Sequence, residues 1–184
     1  MRAWRVVRIL LPLVIVLVVV AGVVAVLSAR PDQQGARRDV ERAWAPLSTD
    51  LTHHFVVLAA ADQKVLALSG PVRELADDVR LALDQWRAAA SRKNVEAQVR
   101  AANVLEAVAR RLVAAARVSN RVNTDAATKS AVDTFAKDTV SGDRVRAFNA
   151  AVATYARERR GPLRSVVASF LGNHDIPAFE PAPA

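Results

Sequence analysis

The chain has 184 residues, no cysteine and a formal net charge of +8, with 52% apolar and 24% charged residues. The lack of cysteine excludes a disulfide framework, a thiol nucleophile, a cysteine metal site and a cysteine-linked lipid. The averages hide an uneven chain: Arg2, Arg5 and Arg8 precede an uncharged apolar run over residues 9–27, and everything beyond is polar, charged and rich in alanine.

Residues 1–8 form a short basic tail. The 19 apolar residues that follow would span roughly 28 Å as a helix, the hydrocarbon thickness of a bilayer, so a transmembrane helix is predicted over residues 9–29. Trp4 suits an interfacial anchor. A cleavable signal peptide is the competing reading. Its apolar region would usually run only about 7–15 residues, and Leu27-Ser28-Ala29 puts leucine where a small residue is needed. The segment reads as an uncleaved anchor in the cell membrane. Arg30, Arg37, Arg38 and Arg42 on the far side nearly balance the tail arginines. The denser cluster is N-terminal, which favours tail inside and domain outside, close to a tie.

Residues 30–36 read as a linker, because Pro31 breaks a helix and Gly35 gives slack. The remaining chain over residues 37–172 carries helical periodicity. From 37 to 68 the apolar positions Val40, Trp44, Leu47, Leu51, Phe55, Leu58, Ala61, Val65 and Leu68 step by three or four, with Pro46 marking a kink or the true start. Ser69-Gly70-Pro71 ends it, and Pro71 suits the first position of a helix over 71–90. Its stripe is Val72, Leu75, Val79, Leu83, Trp86 and Ala90. Asn94 can cap a third helix over 95–118, striped by Val95, Val99, Ala102, Leu105, Ala109, Leu112 and Ala116. Residues 119–124 read as a loop. A shorter helix over 125–139 carries Ala126, Val132, Phe135 and Ala136, and Asp143 can cap a last one. That helix shows Val145, Phe148, Val152 and Tyr155, then Leu163, Val166 and Phe170 beyond a break at Gly161-Pro162. Residues 173–184 hold three prolines and read as an extended tail. Short loops between long amphipathic helices imply antiparallel neighbours. The predicted fold is all-α: an N-terminal transmembrane helix followed by an antiparallel up-and-down helical bundle.

The positive charge does not amount to a nucleic-acid site. Acidic residues offset much of it along helix faces, as expected for Glu96 with Arg100, Glu106 with Arg110 and Asp133 with Lys137, each exposed pair worth about 0.3–0.5 kcal/mol. The densest basic group, Arg157, Arg159 and Arg160, has only Tyr155 beside it, whereas single-strand binding needs several aromatic platforms. Contact between arginines and anionic lipid headgroups fits the anchor better. His53-His54 cannot easily share a metal, because consecutive helical side chains diverge and helical ligand pairs use i, i+4 spacing, so a structural role is expected. Ser48 and Ser69 read as turn or cap residues and Asp77-Asp78 as a solvated face. No catalytic residue, metal or cofactor is predicted.

One pattern goes beyond periodicity. Phe148-Asn149, then Tyr155, then Val166-Val167-Ala168, Gly172 and a closing Phe179-Glu180 follow one another at the spacing of the late signature of the LemA family, membrane-anchored helical proteins that this stretch resembles. Trp44, Leu51 and the long polar pair His53-His54 are similar to an early signature that usually carries Arg-Arg. The chain departs from the family at Ala156, where a second Asn is usual, at Val56-Val57-Leu58-Ala59, which replaces an Asp-Leu-Ile-Pro run, and at Pro162, one position early. The resemblance implies a divergent member: an anchor followed by an antiparallel bundle, with no established activity. Asn149, at the edge of its stripe, is expected to bond a neighbouring segment.

The functional expectation is a single-pass membrane protein whose bundle is a non-catalytic interaction or scaffold module. The bilayer, a membrane protein and a second copy of the chain are its expected partners. The alternative is a sensor-type bundle holding a small ligand between helices.

Overall fold

The structure is a computed structural model that describes residues 2–68, 70–92, 94–160 and 175–181, with side chains described from Gln33 onward. Among these residues it is all-helical, in the order α1 (Arg2–Leu66), α2 (Pro71–Ser91), α3 (Val95–Val118), α4 (Asn120–Thr124), α5 (Ala126–Lys137) and α6 (Gly142–Arg159).

The long α1 is the spine of the bundle and packs against α2, α5 and α6, while α2 packs chiefly on α3. The stripe read from the sequence is its core face: Val40, Leu47, Leu51, Leu58 and Val65 are fully buried. The expected linker over residues 30–36 is corrected. α1 continues through Pro31, Gly35 and Pro46 without a break. A mid-helix proline costs about 3 kcal/mol through its lost N–H and ring clash. Here the buried stripe begins ahead of the expected start, with Gln33 and Ala36, so burial on the bundle favours keeping this stretch in register. Among the described residues no helix is long and apolar enough to cross a membrane; the span expected over residues 9–29 lies outside the described side chains.

The other boundaries follow local chemistry. Gly70 precedes α2 at φ 109°, a backbone region that favours glycine, and Pro71 opens the helix. Asn94 caps α3, its side chain accepting from the Ala97 N–H. Asp125 caps α5 by accepting from the Thr128 N–H at 2.7 Å. Residues 119–124, expected as a loop, contain the one-turn α4, capped by the Ser119 hydroxyl. In α2 the buried alanine near the end is Ala89 rather than Ala90. The second half of the predicted last helix lies outside the described residues.

An aromatic cluster ties three helices together. Trp44 of α1 meets Trp86 of α2 edge-on at 6.5 Å and Phe148 of α6 at 5.0 Å, and Phe55 meets Trp86 edge-on at 5.1 Å. Such contacts add about 0.5–1.5 kcal/mol beyond burial. The Trp44 indole N–H donates to Gln98 on α3, which brings the fourth helix to the cluster.

Candidate functional site

Two features stand out against this apolar background: a clamp that holds the C-terminal segment, and a buried histidine beside a cavity.

The clamp is built from two asparagines. Asn149 on α6 donates its side-chain N–H to the Phe179 carbonyl at 3.0 Å and accepts the Phe179 N–H at 2.9 Å. Asn103 on α3 donates to the Ala178 carbonyl at 2.8 Å and accepts the Glu180 N–H at 3.0 Å. An amide side chain has one donor and one acceptor end, so it can satisfy an extended backbone that lacks a strand partner. The Phe179 ring is buried at 1% exposure. Residues 175–181 thus form a non-helical strap across α3 and α6.

This arrangement brings together residues that the signature only spaced along the chain. Trp44, Leu51, Phe148, Tyr155 and Phe179 all lie in the one core cluster, Asn149 bonds Phe179, and Glu180 is exposed. Ala168 and Gly172 lie outside the described residues. Tyr155 is buried, its hydroxyl has no hydrogen-bond partner among the described residues, and burial raises its pKa. The Arg159 guanidinium lies 5.5 Å from the centre of its ring.

The histidine pair divides as the helical turn requires. His53 is exposed and His54 is buried. Nδ1 of His54 lies 3.0 Å from Asp138, the residue that ends α5, and Nε2 lies 3.3 Å from Glu106 of α3. The ring also stacks at a tilt on Phe135, 4.7 Å between centres. Burial opposes the charged imidazolium, but the hydrogen bonds and fields of Glu106 and Asp138 together outweigh it, so its pKa is raised from 6.5. The His54 ring links α1, α3 and the end of α5.

Glu106 and Asp138 were not foreseen as partners. Glu106 was expected to pair with Arg110 on a solvated face; it is instead 1% exposed and turned to His54. The signal was present: Ala102, Glu106 and Ala109 keep the three-or-four step of the buried stripe. Asp133, expected to pair with Lys137, pairs with Lys129 at 2.7 Å. Glu96 does pair with Arg100, at 2.8 Å. A second buried acid, Asp62, also follows the stripe of its helix. It is 3% exposed, one oxygen has no hydrogen-bond partner among the described residues, and burial lifts its pKa to about 6 against the field of Arg80.

A cavity of about 370 Å³ opens beside His54. His54, Glu106 and Asp138 line it, with the apolar Val113, Phe135 and Val140 and with Arg110 and Arg117 of α3. Pro181, the last residue of the strap, also lines it. The cavity lies within the size range of small-molecule sites, about 300–1,000 Å³. A histidine held between two carboxylates can keep or release a proton. Among the described residues no group of three or more His, Asp or Glu side chains is placed to hold a metal ion.

No protein-family model, curated protein or solved structure matches the chain.

Proposed function

We propose that the chain is a single-pass membrane protein, a divergent relative of the LemA family, whose helical bundle is a non-catalytic interaction or scaffold module. The observation that carries this reading is α1. It runs as one helix from Arg2 to Leu66, roughly 100 Å at 1.5 Å per residue. Its first half contains the uncharged apolar run, and its second half is the spine of the bundle. An anchor joined to a domain by continuous helix holds that domain at a fixed height and orientation, which suits a module that meets other membrane-bound partners. The basic tail and the arginines past the anchor favour anionic headgroups on both flanks.

The test is co-purification from native membranes, joined to protease accessibility of the bundle in intact cells. A reproducible membrane partner, with cleavage from the outside only, supports the reading with the bundle extracytoplasmic. Turnover of a defined substrate by the purified chain, lost on a single substitution, would overturn the non-catalytic assignment.

The cavity beside His54 favours a second reading, a bundle that binds a small molecule between its helices.

A further inference from the structure

The charges around the His54 cavity restrict what it can hold. Two carboxylates face it, and both are engaged by the same ring: Glu106 at Nε2 and Asp138 at Nδ1. The His54 ring lies between them, so both acids are held by one partner. Arg110 and Arg117 both come from α3, seven residues apart, so they share a face about two turns and roughly 10 Å from each other. They bring two positive charges to the same cavity. Arg117 also helps hold Asp133 below its ordinary pKa, after the larger effect of Lys129. Between the arginines in sequence α3 contributes Val113 and Ala114, and Phe135 and Val140 also line the cavity. The cavity thus combines an apolar wall with guanidinium groups, while its own acids are occupied.

We propose that this cavity binds a small carboxylate with an apolar body, its headgroup held by Arg110 or Arg117 and its body laid against Val113, Phe135 and Val140. A guanidinium offers paired N–H donors at the spacing of the two carboxylate oxygens, and this bidentate fit survives in partly desolvated surroundings. A cation would meet the arginines and find the acids engaged. A neutral apolar molecule would leave the guanidinium groups partly desolvated without return. The apolar body can be aliphatic or aromatic. The inference rests on the reading of the bundle as a ligand-binding module and adds the ligand's chemical class.

The test uses the full chain in lipid nanodiscs and measures binding of octanoate, benzoate, octylamine, octan-1-ol and acetate by calorimetry. The same titrations on an Ala114→Trp chain, in which the new ring fills the cavity from its rim, subtract partition into the bilayer. The expected result is saturable octanoate or benzoate binding at least tenfold tighter than that of octylamine, octanol or acetate, and lost in Ala114→Trp. Octanoate alone identifies an aliphatic ligand, benzoate alone an aromatic one. Arg110→Gln with Arg117→Gln should weaken binding tenfold or more, while Arg111→Gln, which lies off the cavity, should leave it unchanged. Equal or tighter binding of octylamine or octanol would overturn the carboxylate assignment and leave the ligand-binding reading standing. Saturable binding of none of the five would overturn the assignment, and a wider metabolite screen without any thermal shift would overturn the ligand-binding reading as well.

Discussion

The side-chain amide of Asn149 bonds both backbone groups of Phe179, donating to its carbonyl and accepting from its N–H across 30 residues of chain. This pair turns a proline-rich tail into part of the core, because the Phe179 ring can be buried only if the polar backbone that carries it is satisfied. Asn149→Leu keeps the volume and removes both bonds, so it should cost about 1–3 kcal/mol. Phe179→Ala should cost about 3–5 kcal/mol. Urea unfolding of the full chain gives both values, and hydrogen exchange at the Phe179 amide should quicken in Asn149→Leu before the bundle itself opens. Unchanged exchange at that amide would contradict the clamp.

The His54–Glu106 contact ties α1 to α3 in the interior. Taking away one member of a buried charged pair costs about 3–5 kcal/mol, whereas replacing both by apolar groups can be nearly neutral. His54→Phe alone should therefore destabilise strongly. The double variant His54→Phe with Glu106→Leu should recover most of the loss, with a coupling of at least 1 kcal/mol in a double-mutant cycle. Additive effects of the two substitutions would mean that the pair does not interact.

Two buried groups make stability depend on pH in the same direction. Asp62 has a folded pKa of about 6, against 3.8 for the unfolded group, because burial disfavours its charge. The folded state therefore holds the proton more tightly. The destabilisation is absent below about pH 4, grows to about pH 6, and is full above that. His54 is raised from 6.5, so its stabilisation is complete below that value and is lost as pH rises through the folded pKa. The groups facing His54 are Glu106 and Asp138, and those acting on Asp62 are Arg80 and Asp77. Thermal melts should show stability falling from pH 4 to 6 and again above 6.5. Asp62→Asn should remove the first fall and stabilise the chain by about 1–2 kcal/mol at pH 7 after allowance for solvent screening. A native-like slope in that variant would mean that another group titrates.

Glycines distinguish helix from linker at residues 30–36. A Cβ built at Gly35 meets nothing within 4 Å, and the residue sits inside α1. Gly35→Ala should stabilise the chain by about 0.5–1 kcal/mol. Gly70→Ala should destabilise by about 1 kcal/mol, since the φ of 109° there suits glycine alone. No gain from Gly35→Ala would favour a flexible linker.

Sequence periodicity carried most of the fold because these helices bury a single stripe each. Val40 to Val65 in α1 and Val99 to Ala116 in α3 are legible as repeats of three and four. The breaks were less legible. Pro31, Gly35 and Pro46 each oppose a helix locally, yet α1 runs through all three, and burial of Gln33, Ala36, Trp44 and Leu47, a tertiary effect, favours the helix. The candidate site was hidden for a related reason. Glu106 and Asp62 occupy stripe positions, but an acid at such a position reads as a solvated edge until its partner is known. His54 was visible as part of a pair, yet Asp138 lies 84 residues away, beyond anything that spacing on one helix can reveal. Asn149 could be placed at the edge of its stripe, while Asn103, its counterpart in the clamp, carried no signal of its own.

The proposal of a bundle held to the membrane by α1 is tested most directly by alkaline carbonate extraction of membranes carrying the full chain, beside a Val16→Arg with Val20→Arg chain. Each arginine near a bilayer centre costs about 2.5–3.5 kcal/mol of insertion free energy. The native chain should stay in the pellet and the double variant should move to the supernatant while its bundle keeps a native melting transition. Release of the native chain by carbonate, or retention of both chains alike, would contradict the anchor.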